Sequence, residues 1–193
     1  MTHSELCRAV AERLGRARGT MVTLYEYQGY ATSEFPDVLM FNGSTVLYEI
    51  KTSRSDFFAD AKKEVRIKWR PKVEFYHPRY PDMNKFAAQA LPPELYYIQR
   101  PHLGSLRFFV CEPGLIAREE VPEGWGLLWF KGGRLYQKAD SKSWRPDVHA
   151  ERNILAHAMR RYASGDHTGI IVNTYYLRDA KDEPTEQGGK RHD

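Results

Sequence analysis

Residues 36–51 read PDVLMFNGSTVLYEIK, and the fold depends on how this stretch pairs with itself. Two apolar runs flank Asn42-Gly43, the dipeptide that most often marks a hairpin turn. Leu39, Phe41 and Leu47 fall on one parity, and Val38, Met40, Val46 and Ile50 on the other. Side chains alternate faces along a strand, so both faces of this hairpin are apolar. A strand apolar on both faces is covered on both faces. This predicts an α/β fold with a central mixed sheet sandwiched by helices.

The charges lie at one end of the hairpin: Asp37 where it opens, Glu49 and Lys51 where it closes. Glu49 and Lys51 are two apart and share a face. Asp37 joins them only if the loop is odd in length. A two-residue Asn42-Gly43 turn would set Asp37 opposite Tyr48, on the wrong face. A three-residue loop of Phe41, Asn42 and Gly43 sets Met40 against Ser44 and Asp37 against Leu47, on the right one. Gly43 then takes the left-handed third position. A shared site therefore requires the odd loop.

Working outward, Leu6, Val10 and Leu14 recur at helical spacing, which predicts a helix over residues 4–15, with Gly15 and Gly19 marking its end. Residues 21–27 read as a strand and 28–35 as a loop. Ser53-Arg54-Ser55-Asp56 is a capping-box pattern that starts a helix from about Arg54 towards Trp69, before Pro71. Residues 72–104, rich in proline, read as an insertion with a short helix near 83–90. Strands are predicted at 106–111, 115–116, 127–130 and 170–177, with a Gly132-Gly133 turn before Leu135-Tyr136 and a closing helix over 148–162. The expectation is one domain over residues 1–178 and a polar tail over 179–193.

Composition bounds the function. At 193 residues, 41% hydrophobic and 13% aromatic, the chain can bury one core. A formal charge of +4 favours an anionic partner. No apolar run reaches the length of a membrane span, and the N-terminus lacks a signal-peptide core. Cys7 and Cys111 lie far apart and by spacing make no disulfide framework and no zinc site. The expected setting is the cytoplasm.

Two carboxylates held close stay ionised when a cation sits between them. Mg²⁺ suits Asp37 and Glu49, since it takes hard oxygen ligands and is commonly held by one or two carboxylates plus substrate phosphate. Lys51 beside it would orient the attacking water or stabilise developing negative charge. Those parts make a phosphodiesterase. The following helix carries Lys62, Lys63, Arg66, Lys68 and Arg70 against Glu64, with Trp69 interleaved. Such a stripe suits a phosphate backbone and equally a solvated face.

These residues resemble the PD-(D/E)xK nuclease superfamily: PD at Pro36-Asp37, ExK at Glu49-Ile50-Lys51, in the order helix, strand, hairpin, helix, strand. The stretch EIKTSRSDFFADAKK, residues 49–63, is similar to a segment of the MmcB-type DNA-repair proteins and related phage nucleases. RFFV at 107–110 and VPEGWGLLWF from Val121 resemble the family's next elements, so the likeness spans roughly residues 20–136. It implies a restriction-endonuclease-like core and a Mg²⁺-dependent nuclease acting on DNA, with Mn²⁺ as a substitute metal. It implies Asp37, Glu49 and the Ile50 carbonyl as metal ligands and Lys51 as the catalytic lysine. Arg54, Asp56 and Lys62 fall on the family's helix positions, with substrate contact, capping and salt bridging all open to them. Arg54, Lys62, Lys63, Arg66 and Arg70 are the expected nucleic-acid contacts. Many members add an upstream acid; of Glu5, Glu12, Glu26 and Glu34, Glu26 on the first strand is preferred, because Glu5 and Glu12 lie opposite their helix's apolar stripe. Many such enzymes work as homodimers, although the sequence carries no interface signature. The rivals are a nucleic-acid-binding protein of the same fold without turnover, and a protein-interaction module docking through the basic helix.

Other constellations carry less. His149-Ala150-Glu151 has the H-x-E of zinc deaminases but no downstream P-C-x-x-C. The remaining histidines, among them His3, His77, His102 and His157, show no metal-ligand spacing.

Overall fold

The computed structural model describes residues 1–28, 35–60 and 103–173. Helix α1 (His3–Gly15) leads into β1 (Val22–Tyr25), β2 (Val38–Phe41), β3 (Thr45–Lys51), α2 (Arg54–Asp60), β4 (Leu106–Cys111), β5 (Gly126–Lys131), β6 (Arg134–Ala139), α3 (Val148–Ala163) and β7 (Ile170–Val172). The strands form one open sheet in the order β6-β5-β4-β3-β2-β1-β7. β3, β4 and β5 run parallel and the remaining neighbours antiparallel, so the sheet is mixed as expected.

All seven residues of β3 are buried, and the hairpin's two parities enter separate cores. Val38, Met40, Val46, Tyr48 and Ile50 meet Leu6, Val10 and Leu14 of α1 on one face. Leu39, Phe41, Leu47, Phe109 and Leu127 meet Ile154 and Ala158 of α3 and Phe57 of α2 on the other. At about 25 cal/mol per Å² of apolar surface removed from water, these two layers hold the sheet between its helices. Among the described residues no helix is long and apolar enough to cross a membrane.

The loop joining β2 and β3 is odd, but it is not the predicted one. Phe41 pairs with Thr45, so the loop is Asn42, Gly43 and Ser44. Phe41 stays in the strand because it also pairs with Val22 of β1 and fills the core. Gly43, at φ 90°, sits in the middle of the loop rather than third, while Asn42 N–H donates to the Ser44 carbonyl at 3.0 Å. With Val38 opposite Tyr48, the register carried one step on sets Asp37 opposite Glu49 instead of Leu47.

Several boundaries also differ. β1 ends at Tyr25, and Glu26 follows in a left-handed conformation at φ 45°. Leu115 and Ile116 form a turn, not a strand: the Leu115 N–H bonds back to the Glu112 carbonyl, and Ile116 is buried as a plug in the core. Glu5 is exposed yet not idle, since Thr2 Oγ1 accepts the Glu5 N–H at 3.3 Å and Glu5 Oε2 accepts the Thr2 N–H at 2.8 Å, a capping box for α1. Of the capping box expected for α2, the Ser53 half is present, with Ser53 Oγ accepting the Asp56 N–H at 3.1 Å. The continuation of α2 towards Trp69, most of residues 72–104, the end of the 170–177 strand and the tail lie outside the described residues.

Candidate active site

β3 runs from a neutral end at Thr45 to a charged end at Lys51. At the charged end Glu49 and Lys51 project together from the strand and are both nearly inaccessible. Lys51 Nζ lies 3.2 Å from Glu49 Oε2 and 3.2 Å from Asp60 Oδ1, and 5.8 Å from the centre of the Phe109 ring. Asp60 reaches Lys51 because Ser53 starts α2 directly after β3, so the helix folds back beneath the strand end. A lysine so enclosed loses most of its rotamer freedom and is fixed in place.

Asp37 arrives from the other arm of the hairpin. Its Oδ2 accepts the Ile50 N–H at 2.7 Å, which seats the carboxylate on the backbone between Glu49 and Lys51. The same oxygen lies 3.4 Å from His3 Nε2. The structure thus joins Glu49 to Lys51 by direct contact and places Asp37 one backbone step away, turned towards α1. Glu26 is beside it: its N–H donates to the Asp37 carbonyl at 2.9 Å, and its carboxylate accepts from Ser4 Oγ at 2.7 Å. His3 Nδ1 lies 3.6 Å from Glu26, and bonding to Asp37 raises the His3 pKa above its ordinary value. A left-handed conformation is costly for a residue with a Cβ and is commonly held at functional sites. Here it turns Glu26 to the end of the sheet where Asp37 lies.

Chemically, the end of β3 offers two carboxylates across a strand pair and a buried ammonium group. The carboxylates supply hard oxygen donors of the kind Mg²⁺ takes. Ile50 lies between them, with its amide already engaged by Asp37.

Arg54 is committed elsewhere. It forms a two-armed pair with Glu120 at 2.5 and 2.9 Å and donates to the Leu115 carbonyl at 3.1 Å, which ties α2 to the turn after β4. The Arg54 guanidinium holds Glu120 down to about 2. Lys62, Lys63, Arg66 and Arg70 lie outside the described residues, as does Glu34.

Two features lie beyond the residues expected from the sequence. Asp60 stands there as one acid in a helix; its pairing with Lys51 needs the turn at Thr52-Ser53 in three dimensions. The second is a cleft of about 620 Å³ at the β5–β6 edge, lined by Pro113, Trp129, Lys131, Gly132, Arg134, Tyr136 and Lys138. All its charged residues are basic, and Lys138 Nζ lies 4.4 Å from the centre of the Trp129 ring. Lys51, Cys111, Trp129 and Tyr136 stand in one row across four strands. At about 4.8 Å per strand, the cleft begins about 10 Å from Lys51 at the same end of the sheet. A signal for it exists in the sequence: Arg134, Tyr136 and Lys138 share a parity just beyond the Gly132-Gly133 turn.

No protein-family model and no curated protein matches the chain. The fold is similar to that of the SPO1766 protein of unknown function from Silicibacter pomeroyi, at 18% identity and a TM-score of 0.54 over 97% of this chain and 99% of that one. The likeness extends over nearly the whole of both chains and concerns the fold.

Proposed function

We propose that the protein is a Mg²⁺-dependent nuclease with a restriction-endonuclease-like core, hydrolysing phosphodiester bonds of DNA. The observation that carries the reading is the seating of Asp37 on the Ile50 amide, directly beside the Glu49–Lys51 pair. Asp37 and Glu49 are the residues to hold the metal, with the Ile50 carbonyl as a third oxygen. Bound there, the metal would lower the pKa of a water and neutralise the phosphate under attack. Lys51 orients that water or stabilises the charge that develops on the phosphate. Asp60 positions Lys51, and Glu26 is the additional acid at the rim. The cleft of Trp129, Lys131, Arg134, Tyr136 and Lys138 supports a nucleic-acid substrate, since its cations suit phosphates and its rings suit bases.

The test is incubation with single-stranded, nicked, branched and duplex DNA, and with RNA, with and without Mg²⁺ or Mn²⁺. Metal-dependent cleavage of DNA that disappears in Lys51→Ala is the expected result. Salt-sensitive binding without cleavage would replace the enzyme with a binding protein of the same fold. Cleavage that survives Lys51→Ala would remove the assigned site.

A further inference from the structure

His3 and Cys7 are four residues apart on α1 and so occupy one face of the helix, the spacing that lets two side chains chelate one metal. Asp37 from the mouth of the hairpin completes a trio whose ligand atoms all lie within 4.8 Å of one another. His3 Nε2 is 3.4 Å from Asp37 Oδ2 and 3.9 Å from Cys7 Sγ. Tetrahedral zinc, with bonds of about 2.0 Å to nitrogen and oxygen and 2.3 Å to sulfur, sets such nitrogen–oxygen and nitrogen–sulfur edges at about 3.3 and 3.5 Å. Those two edges are slightly wider than in a filled site; Cys7 Sγ sits nearer the other ring nitrogen, His3 Nδ1, at 3.5 Å, so a rotation of the ring brings the trio together on an ion.

We infer that His3, Cys7 and Asp37 form a second metal site, selective for zinc-like transition ions and sharing Asp37 with the proposed Mg²⁺ site. The donors decide the ion: a thiolate and an imidazole favour Zn²⁺, whereas Mg²⁺ takes oxygens. Cys7 is wholly buried, while the His3 and Asp37 side chains are 38% and 20% exposed, so an ion enters past those two. Burial, reinforced by Asp37 and Glu26, pushes the Cys7 thiol well above its ordinary value. A coordinating divalent ion reverses that balance and deprotonates the thiol outright. Glu26 lies 3.6 Å from His3 Nδ1, the ring nitrogen that an ion at Nε2 leaves free, where a carboxylate holds the ring's orientation. Contrary to the expectation that His3 shows no metal-ligand spacing, its i, i+4 relation to Cys7 is half of the signal; the third ligand lies 30 residues beyond the second.

The consequence rests on the nuclease reading: an ion held by His3 and Cys7 draws on Asp37, so Zn²⁺ inhibits Mg²⁺-dependent cleavage. The experiment separates the two claims by reading metal binding without activity. The full chain is titrated with Co²⁺ and its absorption recorded. One equivalent should produce a thiolate-to-cobalt charge-transfer band that Zn²⁺ bleaches and Mg²⁺ does not. Cys7→Ser should abolish the band, and His3→Ala, at a half-exposed position on the first turn of α1, should weaken Co²⁺ affinity by about tenfold or more. Cys111→Ser and Lys51→Ala should retain it. Absence of the band at stoichiometric Co²⁺, or its persistence in Cys7→Ser, overturns the inference. The band without any cleavage would leave this site standing and remove the nuclease; cleavage without the band would do the reverse.

Discussion

The two ends of β3 each hold a buried carboxylate, and they handle it differently. At the Thr45 end Glu151 of α3 accepts the Thr45 hydroxyl at 2.7 Å and the Gly104 N–H at 2.8 Å. Both donors are neutral, with the Arg107 charge acting from further off, and together with α3 the two segments they belong to are tied in place. Gly104 itself is required there: at φ +82°, a Cβ would lie 2.7 Å from Leu47 Cβ and 2.8 Å from the Leu106 carbonyl. At the Lys51 end Glu49 meets an ammonium group that a second acid, Asp60, also contacts, while Asp37 accepts the next residue's amide, that of Ile50. A carboxylate met by fixed neutral donors serves as a strut. One grouped with charges at the end of parallel strands lies where open sheets of this kind bind ligands, beyond the carboxyl ends of their strands.

The sharpest way to break this contrast is to neutralise each acid in turn. Glu49→Gln should lower the cleavage rate by about 100-fold or more, the scale at which a directly participating group is missed. Glu151→Gln keeps an oxygen facing the same two donors and should leave the cleavage rate within about twofold. Rates on the preferred DNA substrate at saturating Mg²⁺ decide it. Equal losses would make both ends structural.

Stability should also divide the two ends. Lys51→Met keeps volume but leaves Glu49 and Asp60 without the ammonium group between them, and breaking a buried pair in this way costs about 3–5 kcal/mol. Thr45→Val removes one neutral donor from Glu151 and should cost about 1–3 kcal/mol. Denaturant midpoints at constant slope measure both. A smaller loss for Lys51→Met than for Thr45→Val would mean that the charged cluster contributes less to the fold than its burial suggests.

The sequence revealed the sheet because burial on both faces of residues 38–41 and 46–50 leaves a direct trace in residue type. The expected odd parity of the loop is found, although the Asp37 carboxylate whose placement called for it turns to the Ile50 amide and His3. The sequence did not reveal which three residues make the loop, since that depends on Phe41 being claimed by β1, a pairing between distant segments. Asp60, Glu151, His3 and Cys7 were hidden for the same reason. Each lies on a helix whose own pattern explains it adequately, and each acquires a role only from a strand that arrives from elsewhere. Arg54 shows the converse: substrate contact, capping and salt bridging were all open to it, and the salt bridge it makes has a partner, Glu120, 66 residues on.

The β5–β6 cleft extends the comparison along the row from Lys51. Lys131→Glu and Arg134→Glu together should weaken single-stranded DNA binding by about tenfold at low salt. They should also flatten the dependence of log affinity on log salt by about one for each phosphate that the protein ceases to neutralise. Tyr136→Ala should cost about 1–3 kcal/mol if its ring stacks on a base. Fluorescence anisotropy without divalent metal keeps binding apart from cleavage. An unchanged salt slope would put the nucleic acid elsewhere.

The smallest predicted effect tests the strut by pH. Burial raises the Glu151 pKa above its ordinary 4.5, with the Thr45 and Gly104 donors opposing the shift. The folded state therefore holds its proton more tightly than the unfolded state does. Its favourable contribution is complete below about pH 4.5 and is lost as pH rises through the raised folded value. Glu151→Gln cannot titrate and lacks that loss. The difference in Tm, wild type minus Glu151→Gln, should thus fall by a few degrees between pH 4 and pH 7. A difference that stays flat would mean that the two neutral donors offset burial fully; one that rises would mean that Glu151 is stabilised as an anion. In that last case the two ends of β3 would be alike in their electrostatics and would differ only in what lies beside them.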